Sequence, residues 1–296
     1  MSELVHIPPS GDPLEIHPCA YAIIEQAAWL ERTSLLADLD TQAIVPESFR
    51  AQPKLFPVLL DLKALDVEQR ADLSKLAAAW ALEKDVPYFS ALLDTTASSV
   101  QIAAHLARRM LVSVPGAGQD VLRFYDPFVF RHLQWLLTPK QRDSLLGPIQ
   151  RWNWREPNGT WRSYKREAAH ASVPPLLLKP EQWPTLMRLT DINAMLRRLA
   201  RVAPQLHDDD VLATRIDTLL AEAWLQHQMA DRQDRYLYAE QALRFHPDIH
   251  SHPQSRQRLE RTRAGGTSYV SACAGVDDAA WRDLASRLPS RNPSFS

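Results

Sequence analysis

The apolar residues of this chain change their period once, and that change limits the fold more than any single residue does. Up to about residue 165, short apolar runs take turns with segments of helical spacing. Beyond Val173-Pro174-Pro175 and Lys179-Pro180, only the helical spacing remains. Successive side chains of a strand point to opposite faces, whereas a helix returns to one face every three or four residues, so the two patterns bury different sets of positions. The expected architecture is an α/β (α+β) first lobe with a mixed sheet, followed by an all-helical second lobe. The proline-rich boundary puts these lobes at residues 1–172 and 173–296, and 296 residues suffice for two modest domains.

In the first lobe, strands are expected at residues 20–24, 56–60 and 86–93, with a helical stretch from the first strand to Asp38. Asp66 and Gln69 have the spacing of a capping box, and Leu73, Leu76, Ala77 and Trp80 share one face of the helix that follows. Ser98 or Ser99 opens another helix, with Ile102, Leu106 and Met110 on one stripe. Residues 110–114 and 121–125 read as two short strands joined by a loop holding Gly116 and Gly118. Asp126 then caps a helix with Pro127 at its first position, where the missing N–H costs nothing. Thr138, Pro139 and Gln141 repeat that arrangement, and Gly147-Pro148 stops the helix. Around Asn158-Gly159 the residues from Trp152 to Tyr164 alternate, a strong hairpin signal.

In the second lobe, helices are expected at residues 181–189, 191–201, 211–229, 235–245 and 277–288, with a polar, arginine-rich stretch at 256–264. Residues 1–18 read as extended and the tail 289–296 as disordered. Asp208-Asp209-Asp210 has the residue types of a hard-cation site, but acidic residues at a helix start also suit its dipole, which is the simpler reading.

Composition narrows the function. The formal net charge is -1, which offers no global attraction for nucleic acid or acidic membranes. The N-terminus carries Glu3, Asp12 and several prolines, unlike a signal peptide, and no apolar run approaches the ~20 residues of a membrane helix. Cys19 and Cys273 are far apart and read as buried free thiols rather than a disulfide framework. A cytoplasmic protein is the expectation.

No motif of a serine hydrolase, a phosphate-binding loop, a zinc protease or a dinucleotide fold is present, and with 8 glycines phosphate-cradling loops are poorly supplied. His246, Asp248, His250 and His252 have zinc-ligand chemistry, but Pro247 and Pro253 interrupt their spacing, so a solvated loop without metal is expected. Arg151, Arg155, Arg162, Lys165 and Arg166 surround Trp152, Trp154, Trp161 and Tyr164. This set fits a packed structural hairpin, a protein contact anchored by tryptophan and arginine, or a nucleic-acid stacking platform. Arg123 and Asp126 bracket an expected strand end and read as a buried or half-buried ion pair.

One run, Leu122-Arg123-Phe124-Tyr125-Asp126-Pro127, resembles the bacterial family known as domain of unknown function 4123. Residues 21–24, 57–60 and 104–109, and the stretch from Tyr238 to Pro253, resemble it too; the main resemblance covers roughly residues 18–165. Glu25 stands where an aspartate is more usual, and Ala107 where an arginine is. The resemblance implies an adaptor, or effector chaperone, of type VI secretion. Such a protein binds a toxic effector and loads it onto the VgrG spike, without catalysis and without a cofactor. It gives Arg123, Tyr125, Asp126 and Pro127 a structural role. Trp152, Trp154, Trp161, Tyr164, Arg151 and Arg155 are then the candidate partner contacts. The spike is expected on the first lobe, and the effector on a groove of the helical lobe lined by residues 211–229. The alternatives are a hydrolase with a helical cap, using His246 or His250, and an RNA-binding module using the tryptophan-arginine hairpin.

Overall fold

The computed structural model describes residues 19–31, 39, 41–166 and 175–289. The expectations for residues 1–18, 32–38 and 290–296 lie outside the described residues. Two compact units divide between Trp183 and Pro184.

The first unit is built on a six-stranded sheet in the order β2-β3-β1-β4-β7-β8. Its strands are β1 (Tyr21–Ile24), β2 (Thr41–Ala43), β3 (Val58–Asp61), β4 (Phe89–Asp94), β7 (Arg151–Arg155) and β8 (Trp161–Lys165). Every pairing is antiparallel, so the expected sheet with helices takes its α+β form. All four residues of β1 are buried because the sheet is covered on both faces, which is why its sequence is continuously apolar rather than alternating. On one face Ala22, Ile24, Val58, Leu60 and Leu92 meet Leu73, Leu76 and Trp80 of the helix Val67–Lys84. On the other, Trp152 and Trp154 meet Phe130 of the helix Pro127–Leu136.

The helices begin where their caps predict. Asp66 with Gln69, Ser98 with Gln101 and Thr138 with Gln141 each form a reciprocal capping box. The edge strand Thr41–Ala43 has no sequence expectation behind it; it is three residues long with no buried residue, and so lacks an apolar signal. The strand expected from residue 86 begins at Phe89.

A larger correction concerns residues 121–125. The two-stranded ribbon pairs β5 (Leu111–Val114) with β6 (Gly118–Val121) and stops there. Leu122 to Asp126 instead turn: the Phe124 N–H donates to Leu122 O at 2.8 Å and the Asp126 N–H to Arg123 O at 3.0 Å. Phe124 and Tyr125 are apolar because this turn is buried, not because it pairs in a sheet.

The second unit is helical: α6 (Trp183–Val202), α7 (Asp210–Leu225), α8 (Arg232–Arg244), α9 (Pro253–Arg263), α10 (Tyr269–Ala272) and α11 (Asp278–Ser286), following α1 to α5 of the first unit at Gln26–Glu31, Val67–Lys84, Ser99–Met110, Pro127–Leu136 and Pro139–Leu146. The separate helices expected at 181–189 and 191–201 are one helix, α6. Asp191, where the second of them was expected to begin, sits buried inside it, accepting from the Tyr236 hydroxyl at 2.8 Å and pairing with Arg232 and Arg235. Asp209 caps α7 by accepting from the Leu212 N–H at 2.8 Å, which is the cap reading of the aspartate run. Among the described residues, no helix is long and apolar enough to cross a membrane.

The division at Trp183 falls after the prolines that signal it. Gln182 explains the offset: its amide donates to Leu136 O, and Gln141 donates to both Gln182 and Leu177 O. These bonds hold the segment before α6 to the first unit.

Candidate functional site

Arg123, which is exposed, and Tyr125, which is buried, sit on the turn that follows β6, and Glu25 directly follows β1. The Arg123 guanidinium pairs with Glu25 at 2.6 Å across a sequence separation of 98 residues and lies over the Tyr125 ring at 5.5 Å. The expected partner was Asp126; its carboxylate is instead spent on the helix start, accepting from the Phe128 N–H at 2.8 Å. Burial raises the Glu25 carboxyl above its ordinary value, against the pull of Arg123. Burial, with the Glu25 charge, also pushes the Tyr125 phenol up. The result is a latch between the first strand and the α4 entrance: a carboxylate matched to a guanidinium, with a phenol that keeps its proton. Pro127 occupies the first turn of α4 as expected.

The hairpin forms, but its aromatics do not face outward. Trp152, Trp154 and Tyr164 are 0% exposed and Trp161 is 5% exposed. Trp152 stacks on Phe130 at 4.8 Å, Trp154 meets the edge of the same ring at 5.0 Å, and Trp161 joins the core on the opposite face. These four cannot be surface anchors or a base-stacking platform. Alternation in a hairpin at the end of a sheet marks two buried faces here, and the sequence does not distinguish burial by this chain from burial by a partner. Arg151 and Arg155 remain half-buried at the strand ends, and Arg155 donates to Gly159 O at 3.2 Å.

The turn of the hairpin has Pro157 and Asn158 at its centre, closed by the Gly159 N–H donating to Glu156 O at 2.9 Å, with Gly159 at φ 85. Glu156 is buried and pairs with Arg131 at 3.1 Å and Arg162 at 3.4 Å, and it accepts from the Trp154 indole N–H at 2.9 Å. This buried ion network had no sequence signal, because its members are 25 and 6 residues from Glu156 and belong to different elements.

The family-like segment 104–109 lies on α3. His105 is buried, and its Nε2–H donates to Leu145 O at 2.7 Å. Burial lowers its pKa to about 4, so the ring is neutral near pH 7. Gly147, at φ 56, passes so close that a Cβ there would stand 2.1 Å from the imidazole.

In the second unit, the histidines expected to form a loop are used locally. His246 Nδ1 accepts from the Asp248 N–H at 3.1 Å, and His252 Nδ1 accepts from the Gln254 N–H at 3.3 Å as the cap of α9. His250 stacks on Tyr238 at 3.7 Å and donates through Nε2 to Tyr238 O at 2.9 Å, with its pKa lowered by burial to about 4. The four side chains do not converge, and among the described residues no group of three or more His, Cys, Asp or Glu is placed to hold a metal ion. Tyr238 donates to Glu222 at 2.6 Å, and burial raises its phenol first. Both cysteines are free and buried; burial pushes the Cys19 thiol up to about 12.

No curated protein and no solved structure matches the chain. The matched part of the chain holds β1 to β6, α1 to α4 and most of α5, including the Glu25–Arg123 latch and the His105 segment, and stops short of the hairpin and of the second unit. That part, residues 20–144, matches the family described as domain of unknown function (DUF4123), a family linked to type VI secretion.

Proposed function

We propose that this protein is an adaptor of type VI secretion, a cytoplasmic chaperone that binds a toxic effector and loads it onto the VgrG spike. The observation that carries the reading is the family match over residues 20–144. The chemistry of the described side chains supports it. The latch at Glu25 and Arg123, the network at Glu156 and the histidines near α9 each bond to neighbouring parts of the fold. On this reading the molecule works by binding rather than by catalysis and needs no cofactor.

The spike is assigned to the first unit, which carries the family-like part, and the effector to the helical unit. Val211, Trp224 and Leu225 are exposed along α7, and an open cavity of about 500 Å³ is lined there by Val211, Thr214, Leu219 and Pro247. An amphipathic segment of a client can bury its apolar face against such a helix. The test is co-expression of the intact chain with a candidate toxin and a VgrG spike protein from the same organism, followed by co-purification. The expected result is a complex with each. Capture of neither would end the adaptor reading.

A further inference from the structure

Helix α3, the turn at Gly147-Pro148 and Arg166 at the end of β8 enclose an open groove of about 920 Å³ on the first unit. Arg108, Arg109 and Arg166 line it, and among the described residues its lining includes no carboxylate. Ala97, Val100, Ala104 and Pro148 form an apolar wall beside the cations, and Val100 is left 65% exposed. His105 closes the floor in its neutral form, bonded to Leu145 O.

The groove is held in shape by bonds to the backbone. The Arg166 guanidinium donates to Gly147 O, and the absence of a side chain at Gly147 lets that turn lie against the His105 ring. Arg166 is therefore tied to a fixed frame, and the charges of Arg109, Arg108 and Arg166 all act on the His105 ring. Like charges gathered at a partly desolvated surface repel one another, and an anion entering the groove relieves that repulsion. Burial and the neighbouring Arg108 charge both lower the Arg109 pKa, as this crowding requires.

We propose that this groove binds an acidic, partly apolar peptide segment of a partner protein. The inference rests on the adaptor reading for the existence of such a partner. The apolar wall offers sites for side chains between the acidic ones, as an extended peptide presents them. A nucleic acid fits less well, because the lining includes no Phe, Tyr or Trp and the hairpin tryptophans are buried. α3 has 12 residues and is ~18 Å long, which matches about five residues of extended chain.

The probes are a fluorescein-labelled peptide of alternating glutamate and leucine, its counterpart with glutamine for glutamate, and labelled oligothymidine, each titrated against the full chain by anisotropy. The glutamate peptide should bind at least ~10-fold more tightly than the glutamine one, and less tightly as salt is raised. Arg108→Glu should weaken it ~10-fold or more while the chain stays folded by circular dichroism, because Arg108 is exposed. Absence of binding, equal binding of the glutamine peptide, tighter binding of oligothymidine, or an unaffected Arg108→Glu variant would each overturn the proposal. Co-purification with the candidate toxin and spike separates this failure from that of the adaptor reading. A wild-type chain that captures neither partner removes the adaptor, and the peptide titration still decides the groove. If the wild type and Arg108→Glu hold both partners equally, the groove fails and the adaptor stands.

Discussion

Trp152 gives the sharpest test of whether the hairpin aromatics belong to this fold or to a partner. Its side chain is fully buried, stacked on Phe130 at 4.8 Å and tilted against Phe124 at 5.8 Å. Burying ~200 Å² at ~25 cal/mol per Å² is worth ~5 kcal/mol, an upper estimate because the unfolded chain already hides some of that area. Truncation also leaves a cavity between the sheet and α4. Against this, the Trp152 indole N–H is buried with no acceptor among the described residues, and removing it returns ~1–3 kcal/mol. Trp152→Ala should therefore destabilise by ~3–5 kcal/mol. For a domain of this size, that lowers the melting midpoint by ~6–20 °C, read by far-ultraviolet circular dichroism. Trp152→Phe keeps the stacking and deletes the orphan donor, so the loss of ring area and the gain from the missing N–H nearly offset, within ~1 kcal/mol. A Trp152→Ala chain that melts with the wild type but loses a partner would refute the reasoning, because it would make Trp152 an interface anchor.

Asp126→Ala should lower stability by ~0.5–2 kcal/mol through loss of the α4 cap, while Asp126→Asn, which can still accept from Phe128 N, should stay close to wild type in a urea titration. His105 and His250 both have folded pKa values lowered to about 4 from 6.5, so as pH falls through 6.5 the unfolded chain takes up protons first. Stability present above pH ~6.5 should fall steadily toward pH ~4 and then lose this contribution to the slope; a melting midpoint flat across that window, or one unaltered in slope by His250→Gln, would contradict the buried neutral rings.

Caps, turns and periods were legible because each is a local pattern. Asp66 with Gln69, Thr138 with Gln141, and Asp126 before Pro127 place helix starts from side-chain reach of three residues or fewer. The hairpin at Asn158-Gly159 was equally local. The helix start expected at residue 191 does not form, because Tyr236, Arg232 and Arg235, brought in from another helix, let Asp191 sit buried mid-helix. The 122–125 run misled because an apolar string records burial and not the hydrogen bonds of the backbone beneath it.

The sequence by itself determined the two-part architecture, the helix starts and the hairpin, since these follow from periodicity and from polar atoms within a few bonds along the chain. It also carried the family-like run at residues 122–127. Tertiary structure decided which way the tryptophans face, that Arg123 takes Glu25 as its partner, that Glu156 gathers Arg131 and Arg162, and that Arg108, Arg109 and Arg166 share one groove. Those outcomes depend on distances between residues remote in sequence, and a chain fixes such distances only when its strands have chosen their neighbours in the sheet.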